Sequence, residues 1–248
     1  RASDSTTTTI GFDGSGNISE ADIISFCTGT TCTVYQWLDQ SGNGNTATAA
    51  ASGNEPTIYT GGQLVKESGK VTLNFDGANT FFNAGNILNV GTGSLTTYTT
   101  AKTNSSANQS FYAKSLFGVG ASRYAMLILD SQTTSYVTNV SNQNQHATGV
   151  VSTNRSLYNQ EYIANATHKL YLDGSQQNSV TATTIGTSTH DFEIGAYNDA
   201  SGNASNNLPL DGNMQELIVY LQNKSSFRAS IEENVGDYFT QNTPLLDT

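Results

Sequence analysis

Along most of the chain, apolar and polar residues alternate with period two in short runs that stop at Gly, Asn or Asp. That is the pattern of antiparallel strands joined by turns. The runs fall at 33–37, 57–59, 71–75, 96–100, 110–117, 124–129, 134–140, 149–152, 156–163, 169–172, 179–183, 191–196 and 214–221. These are more strands than one open sheet holds, so the pattern predicts two packed sheets. The clearest turn is Asp173-Gly174, where the tight hairpin after 169–172 needs positive φ angles. Two stretches change period. Ser19 caps a predicted helix with an acidic first turn. Ser225 or Ser226 opens a second, with Phe227, Ile231, Val235, Tyr238 and Phe239 on the face expected to pack on the sandwich. The fold expected is all-β: a two-sheet antiparallel sandwich with a short N-terminal helix and a C-terminal helix. It forms a single domain over 1–240, with 241–248 as a tail or linker.

Composition narrows the function classes. Only 12% of the 248 residues are charged, so the polar bulk is hydroxyl, amide and glycine rather than Lys and Glu. That is a neutral β surface and not an acidic disordered tail. A net charge of -10 repels phosphate backbones and anionic membrane surfaces, which argues against nucleic acid as a partner. No stretch approaches the roughly 20 apolar residues of a membrane span, so membrane insertion is not expected. The chain opens at Arg1 without a Met or a signal-like apolar run, and reads as a processed piece of something longer.

Cys27 and Cys32 flank a flexible Thr-Gly-Thr-Thr loop that lets the sulfurs meet; a local disulfide is expected, with two free thiols as the alternative. A disulfide implies an oxidising, extracellular setting. These cysteines and the scattered His146, His168 and His190 match no zinc spacing. No nucleophile elbow, phosphate loop or dinucleotide fingerprint is present. The residues also allow a sugar-binding chemistry, in which planar amides bind hydroxyls and aromatic rings stack on a sugar; the alternative is a loop whose Asn, Ser and Gly are merely solvated. Tyr197, Asn198, Asp199 and Asn203 lie in one polar loop and, with Asp130 and Tyr136, form the candidate ligand site. Trp37, the single tryptophan, falls on an alternating run and is expected in the core. Asp39, Asn43 and Asn45 place oxygens at alternate positions as a calcium loop does, but without its bidentate Glu. The simpler reading is an Asp-capped, Gly-rich turn.

Three segments together resemble laminin-G-like, concanavalin-A-like jelly-roll domains. They are Leu73-Asn-Phe-Asp-Gly-Ala-Asn-Thr-Phe-Phe, the Lys169-Leu-Tyr-Leu-Asp-Gly hairpin, and Leu210-Asp-Gly-Asn-Met-Gln-Glu-Leu-Ile-Val-Tyr ahead of a capped helix. Such domains include calcium binders, which adds Glu216 to Asp39, Asn43 and Asn45 as a candidate metal set. The N-terminal runs at 1–10, 26–32 and 37–45 are similar to the start of the catalytic domain of fungal B-type α-L-arabinofuranosidases, and to related bacterial surface and phage structural proteins. This likeness includes both cysteines and supports their pairing. It would place Asp130 where that family has its nucleophilic Glu, and Asp199 where it has its acid. Asp130 is one methylene short of Glu, and the family's adjacent cysteine pair is missing.

The expected function is therefore a non-catalytic glycan-binding or adhesive module of an extracellular, surface-fibre or virion protein. Its partner would be a glycan or cell-surface polysaccharide, displayed by a homo-oligomer or a larger multidomain protein. No cofactor is required and calcium is the one candidate. The alternatives are an arabinofuranosidase-like hydrolase acting through Asp130 and Asp199, and a structural subunit of an extracellular assembly.

Overall fold

Alternation along the long strands separates a core face from an outer face, and a computed structural model places those core faces against each other. The structure describes residues 1–49, 51–115, 122–139, 141, 143–197 and 207–239. The expected tail, 241–248, and the outer ends of the 110–117 and 134–140 runs lie outside them.

The larger sheet has the order Cys32–Thr33, Thr57–Thr60, Leu73–Asp76, Asp211–Tyr220, Leu95–Thr103, Ser156–Ile163, Thr167–Leu172, Ser175–Thr181, with Gln63–Leu64 added beside Thr57–Thr60. The second sheet runs Ala147–Gly149, Gln132–Thr138, Arg123–Leu129, Gln109–Lys114, Phe192–Ile194, Phe82–Asn83, Ala47–Ala49, Gln36–Trp37. The recorded pairings are antiparallel, and a small Lys66–Glu67/Lys70–Val71 ladder stands apart. This is the jelly-roll sandwich expected. The Asp173-Gly174 turn has φ values of 47° and 77° and joins paired Leu172 and Ser175.

Short strands at Ala47–Ala49 and Phe82–Asn83 escape a reading by alternation, because two or three residues carry no period. The edge strand of the second sheet lies at Ala147–Gly149 rather than 149–152. Helix α1 (Glu20–Cys27) has Ser19 as its cap, the Oγ accepting from the Asp22 amide at 3.3 Å. Helix α2 (Arg228–Phe239) follows a 3-10 turn at Ser225–Phe227. It packs through Val235 and Phe239 onto Tyr98 and Leu157 on the outer face of the larger sheet. Phe227 and Tyr238, expected on the packed face, are exposed instead: Phe227 belongs to the 3-10 turn ahead of the helix, and the Tyr238 ring lies under Lys70 Nζ at 4.3 Å.

Between the sheets, Phe75, Phe82, Phe111, Tyr124, Met126, Tyr158 and Tyr162 are fully buried. Trp37 is half-buried and tilts against Phe82 at 6.1 Å. The core also holds a polar seam. His168 Nε2 lies 2.6 Å from Ser135 Oγ and 3.2 Å from Gln160 Nε2, its Nδ1 lies 2.7 Å from the Gln145 carbonyl, and the Tyr112 hydroxyl donates to Gln160 Oε1 at 2.9 Å. The Ser135–His168 pair is not a hydrolytic dyad. It is sealed from solvent, and a backbone carbonyl stands where an acid would orient the ring. The Cys27–Cys32 disulfide is formed, with a Cα separation of 5.8 Å. It ties α1 to the first strand of the larger sheet.

Candidate functional site

In the second sheet Phe192 and Ile194 point into the core, so Glu193 faces outward. Register then defines a continuous row across five strands: Asn83, Glu193, Ala113, Ala125, Tyr136. The two alanines leave a low floor between Glu193 on one side and Tyr136 on the other. Tyr197, just beyond the Phe192–Ile194 strand, packs over this floor with Ala113, Ala125, Leu127 and Tyr136. Its hydroxyl bonds the Ser115 hydroxyl, and its amide donates to the Asn207 carbonyl at 2.8 Å. Gly195, with φ 84°, lets the chain turn over Phe75 to reach it.

Polar groups converge on the Tyr136 side. The Arg123 guanidinium stands 5.1 Å from the Tyr136 ring centroid, and its Nε donates to Thr138 Oγ1 at 3.0 Å. The Tyr136 hydroxyl and Thr138 Oγ1 both donate to Asn144 Oδ1, at 3.1 and 2.9 Å. The His146 ring lies 4.2 Å from the Tyr136 ring, and burial, with Arg123 second, holds its pKa below the usual value. The face thus offers two phenol rings, a guanidinium, an amide and a neutral imidazole. That donor and acceptor set suits hydroxylated ligands. Tyr136 and Tyr197 are buried in this arrangement, so a ligand reaching the alanine floor has to displace the Tyr197 ring.

Of the residues expected to form the site, Tyr136 and Tyr197 come together here. Asp130 lies at the end of the same hairpin, where it and Ser131 form the two-residue turn with φ 50° and 61°. Its amide donates to Asn108 Oδ1 at 2.9 Å, whereas its exposed carboxylate has no hydrogen-bond partner among the described residues. Asn198, Asp199 and Asn203 lie outside the described residues. Arg123, Asn144, His146 and Glu193 were missed. Glu193 was within reach, because Asp-Phe-Glu-Ile alternates and puts the acids on the face opposite Phe192.

The proposed metal set is divided. Asp39 accepts from the Ser41 and Asn45 amides, both at 2.8 Å, and hydrogen bonding from Ser41, then Asn45, holds its carboxyl below the usual range. Its oxygens close their own turn, through Gly42 and Gly44 at φ 81° and 76°. Glu216 belongs to the other sheet, opposite Thr100, where burial raises its pKa. Asp39, Asn43, Asn45 and Glu216 all border one wide groove of about 1590 Å³ beneath the N-terminal segment. Among the described residues, no three His, Cys, Asp or Glu side chains converge as a metal site. No described helix is long and apolar enough to cross a membrane.

Residues 1–119 match the family model described as "Alpha-L-arabinofuranosidase B, catalytic". No curated protein matches. Among solved structures, a GH54 α-L-arabinofuranosidase mutant soaked with 4-nitrophenyl α-L-arabinofuranoside is 17% identical, with a TM-score of 0.63. An arabinofuranosidase complexed with arabinofuranosyl-α-1,2-xylobiose is also 17% identical, with a TM-score of 0.60. In both, 95% of this chain is covered, and the chain spans 57% of the arabinofuranosidase. Domains LG4-5 of the mouse laminin α1 chain are 14% identical, covering 66% of this chain and 42% of theirs, with a TM-score of 0.48. The chain is thus a two-sheet jelly-roll sandwich that shares its fold with these arabinofuranosidases, and its N-terminal part is similar to the catalytic domain of α-L-arabinofuranosidase B.

Proposed function

We propose that the chain is a non-catalytic glycan-binding or adhesive module of an extracellular, surface-fibre or virion protein. It would bind sugar on the outer face of the second sheet, with Tyr136 and Tyr197 as ring surfaces and Arg123 and Asn144 as hydroxyl partners. The Asp130 carboxylate carries the non-catalytic half of this reading. It projects from an exposed turn, no group among the described residues orients it, and a nucleophile displaced by even about 1 Å loses on the order of 10²-fold in rate. The Arg123–Tyr136–Asn144 cluster supports the binding half, since it joins a ring face to planar polar groups in one patch.

The hydrolase remains the second reading, favoured by the match over residues 1–119. In it Asp130 and Asp199 would serve as nucleophile and acid, about 5 Å apart if configuration is retained. A glycan array of the full chain, run beside turnover of nitrophenyl arabinofuranoside, separates the two. Binding without turnover, lost in Tyr136→Ala, supports the module. Turnover abolished by Asp130→Asn or Asp199→Asn overturns it. Silence in both assays favours a structural subunit.

A further inference from the structure

Helix α2 covers the outer face of the larger sheet, and the layer beneath it is not apolar throughout. Leu157 shares the Tyr98, Val235 and Phe239 cluster, so alternation brings Asn159 and Glu161 to the same face. Register sets Tyr98 opposite Asn159 and Thr96 opposite Glu161. From the helix, Glu232 comes down one turn before Val235, and the charges of Glu232 and Glu161 both act on Tyr98 and on each other. These four side chains are almost wholly buried: Tyr98 is 1% exposed, Asn159 0%, Glu161 1% and Glu232 3%. Even so, among the described residues both carboxylate oxygens of Glu161, Glu232 Oε1, Tyr98 Oη and Asn159 Oδ1 have no hydrogen-bond partner.

The neighbouring cations do not satisfy them. Arg228 bonds Glu232 through Oε2 at 2.6 Å and spends the same nitrogen on the Gly174 carbonyl, leaving Oε1. Lys169 Nζ is 3.4 Å from Glu161 Oε1, longer than a charge-assisted hydrogen bond, and its side chain is 27% exposed. It can turn to solvent. Buried carboxylate oxygens without donors are rare unless water or an ion completes them.

We propose that Glu161, Glu232, Tyr98 and Asn159 bind a hard, oxygen-seeking cation of the calcium class beneath α2. The donor set is all oxygen. Two carboxylates, a phenol and an amide carbonyl supply most of the six to eight ligands calcium takes, and water completes them. The ion pins the helix to the sheet and is separate from both the glycan face and the 39–45 turn.

Thermal melting of the full chain in EDTA, calcium and magnesium tests this, together with terbium luminescence excited through tyrosine. Calcium is expected to raise the midpoint by several degrees over EDTA and to compete away terbium emission. Glu161→Gln should abolish both effects while Asp39→Asn leaves them intact. No calcium response in the native chain overturns the proposal. So does a response lost in Asp39→Asn but kept in Glu161→Gln, which would move the ion to the 39–45 turn. Glu161→Gln stabilising a chain indifferent to metal would also overturn it, assigning the cluster to water or a shared proton.

Discussion

His168 sits in the core without solvent contact, and burial lowers its pKa to about 4, against about 6.5 in an unfolded chain. The folded state excludes a proton that the unfolded state accepts, so unfolding gains protons as the pH falls between those values. The stabilisation is fully present above about 6.5 and is lost on the way down to about 4. A shift of this size is worth on the order of 3 kcal/mol. Denaturant unfolding at pH 7 and pH 4.5 should show that loss, and a His168→Gln variant should show a flatter profile. Gly195 makes a second test at this scale. An added Cβ would lie 2.4 Å from the Phe75 ring, at a φ of 84°. Gly195→Ala is expected to cost about 3 kcal/mol, whereas Gly16→Ala, also at positive φ but with nothing within 4 Å, should cost about 1 kcal/mol. Melting of the two variants side by side checks the difference.

At the scale of elements, the disulfide closes a short loop and fastens α1 to Cys32–Thr33, which in turn pairs with Thr57–Thr60. Chain-entropy arguments for a loop of this length give about 2 kcal/mol. A Cys27→Ala/Cys32→Ala variant should therefore unfold at lower denaturant with its fold intact, as circular dichroism can verify. Elements with a strong local signal were legible in sequence. The Asp173-Gly174 hairpin declared its turn, Ser19 declared its helix, and the long strands declared their period. The two- and three-residue strands did not, because Ala47–Ala49 and Phe82–Asn83 are held by their neighbours rather than by any preference of their own.

For the molecule as a whole, charge decides which glycans can dock. A net charge of -10 repels sulfated or carboxylated polysaccharides at low salt, and neutral sugars are indifferent to it. Array binding to a neutral glycan is expected to be unchanged between low and high salt. Strong low-salt binding to a sulfated one would contradict the proposed face. Arg123 is the local exception to the acidic surface, but it is buried against Tyr136 and Thr138 and so orients neighbours rather than attracting ions from a distance.

The sequence by itself determined the fold class, the cysteine pairing it favoured and the Ser19 cap of α1. Each of these rests on local periodicity or spacing. It also picked out Tyr136 and Tyr197 as residues of interest. Tertiary structure alone decided that the two share a floor of Ala113 and Ala125 with Glu193 at its far side. Register across strands drawn from residues 82 to 138 and 192 to 194 sets that row, and no local pattern encodes which strands become neighbours. The oxygens beneath α2 are of the same kind. Glu161 and Glu232 look like ordinary surface acids in the sequence, and only the docking of the helix on the sheet buries them together.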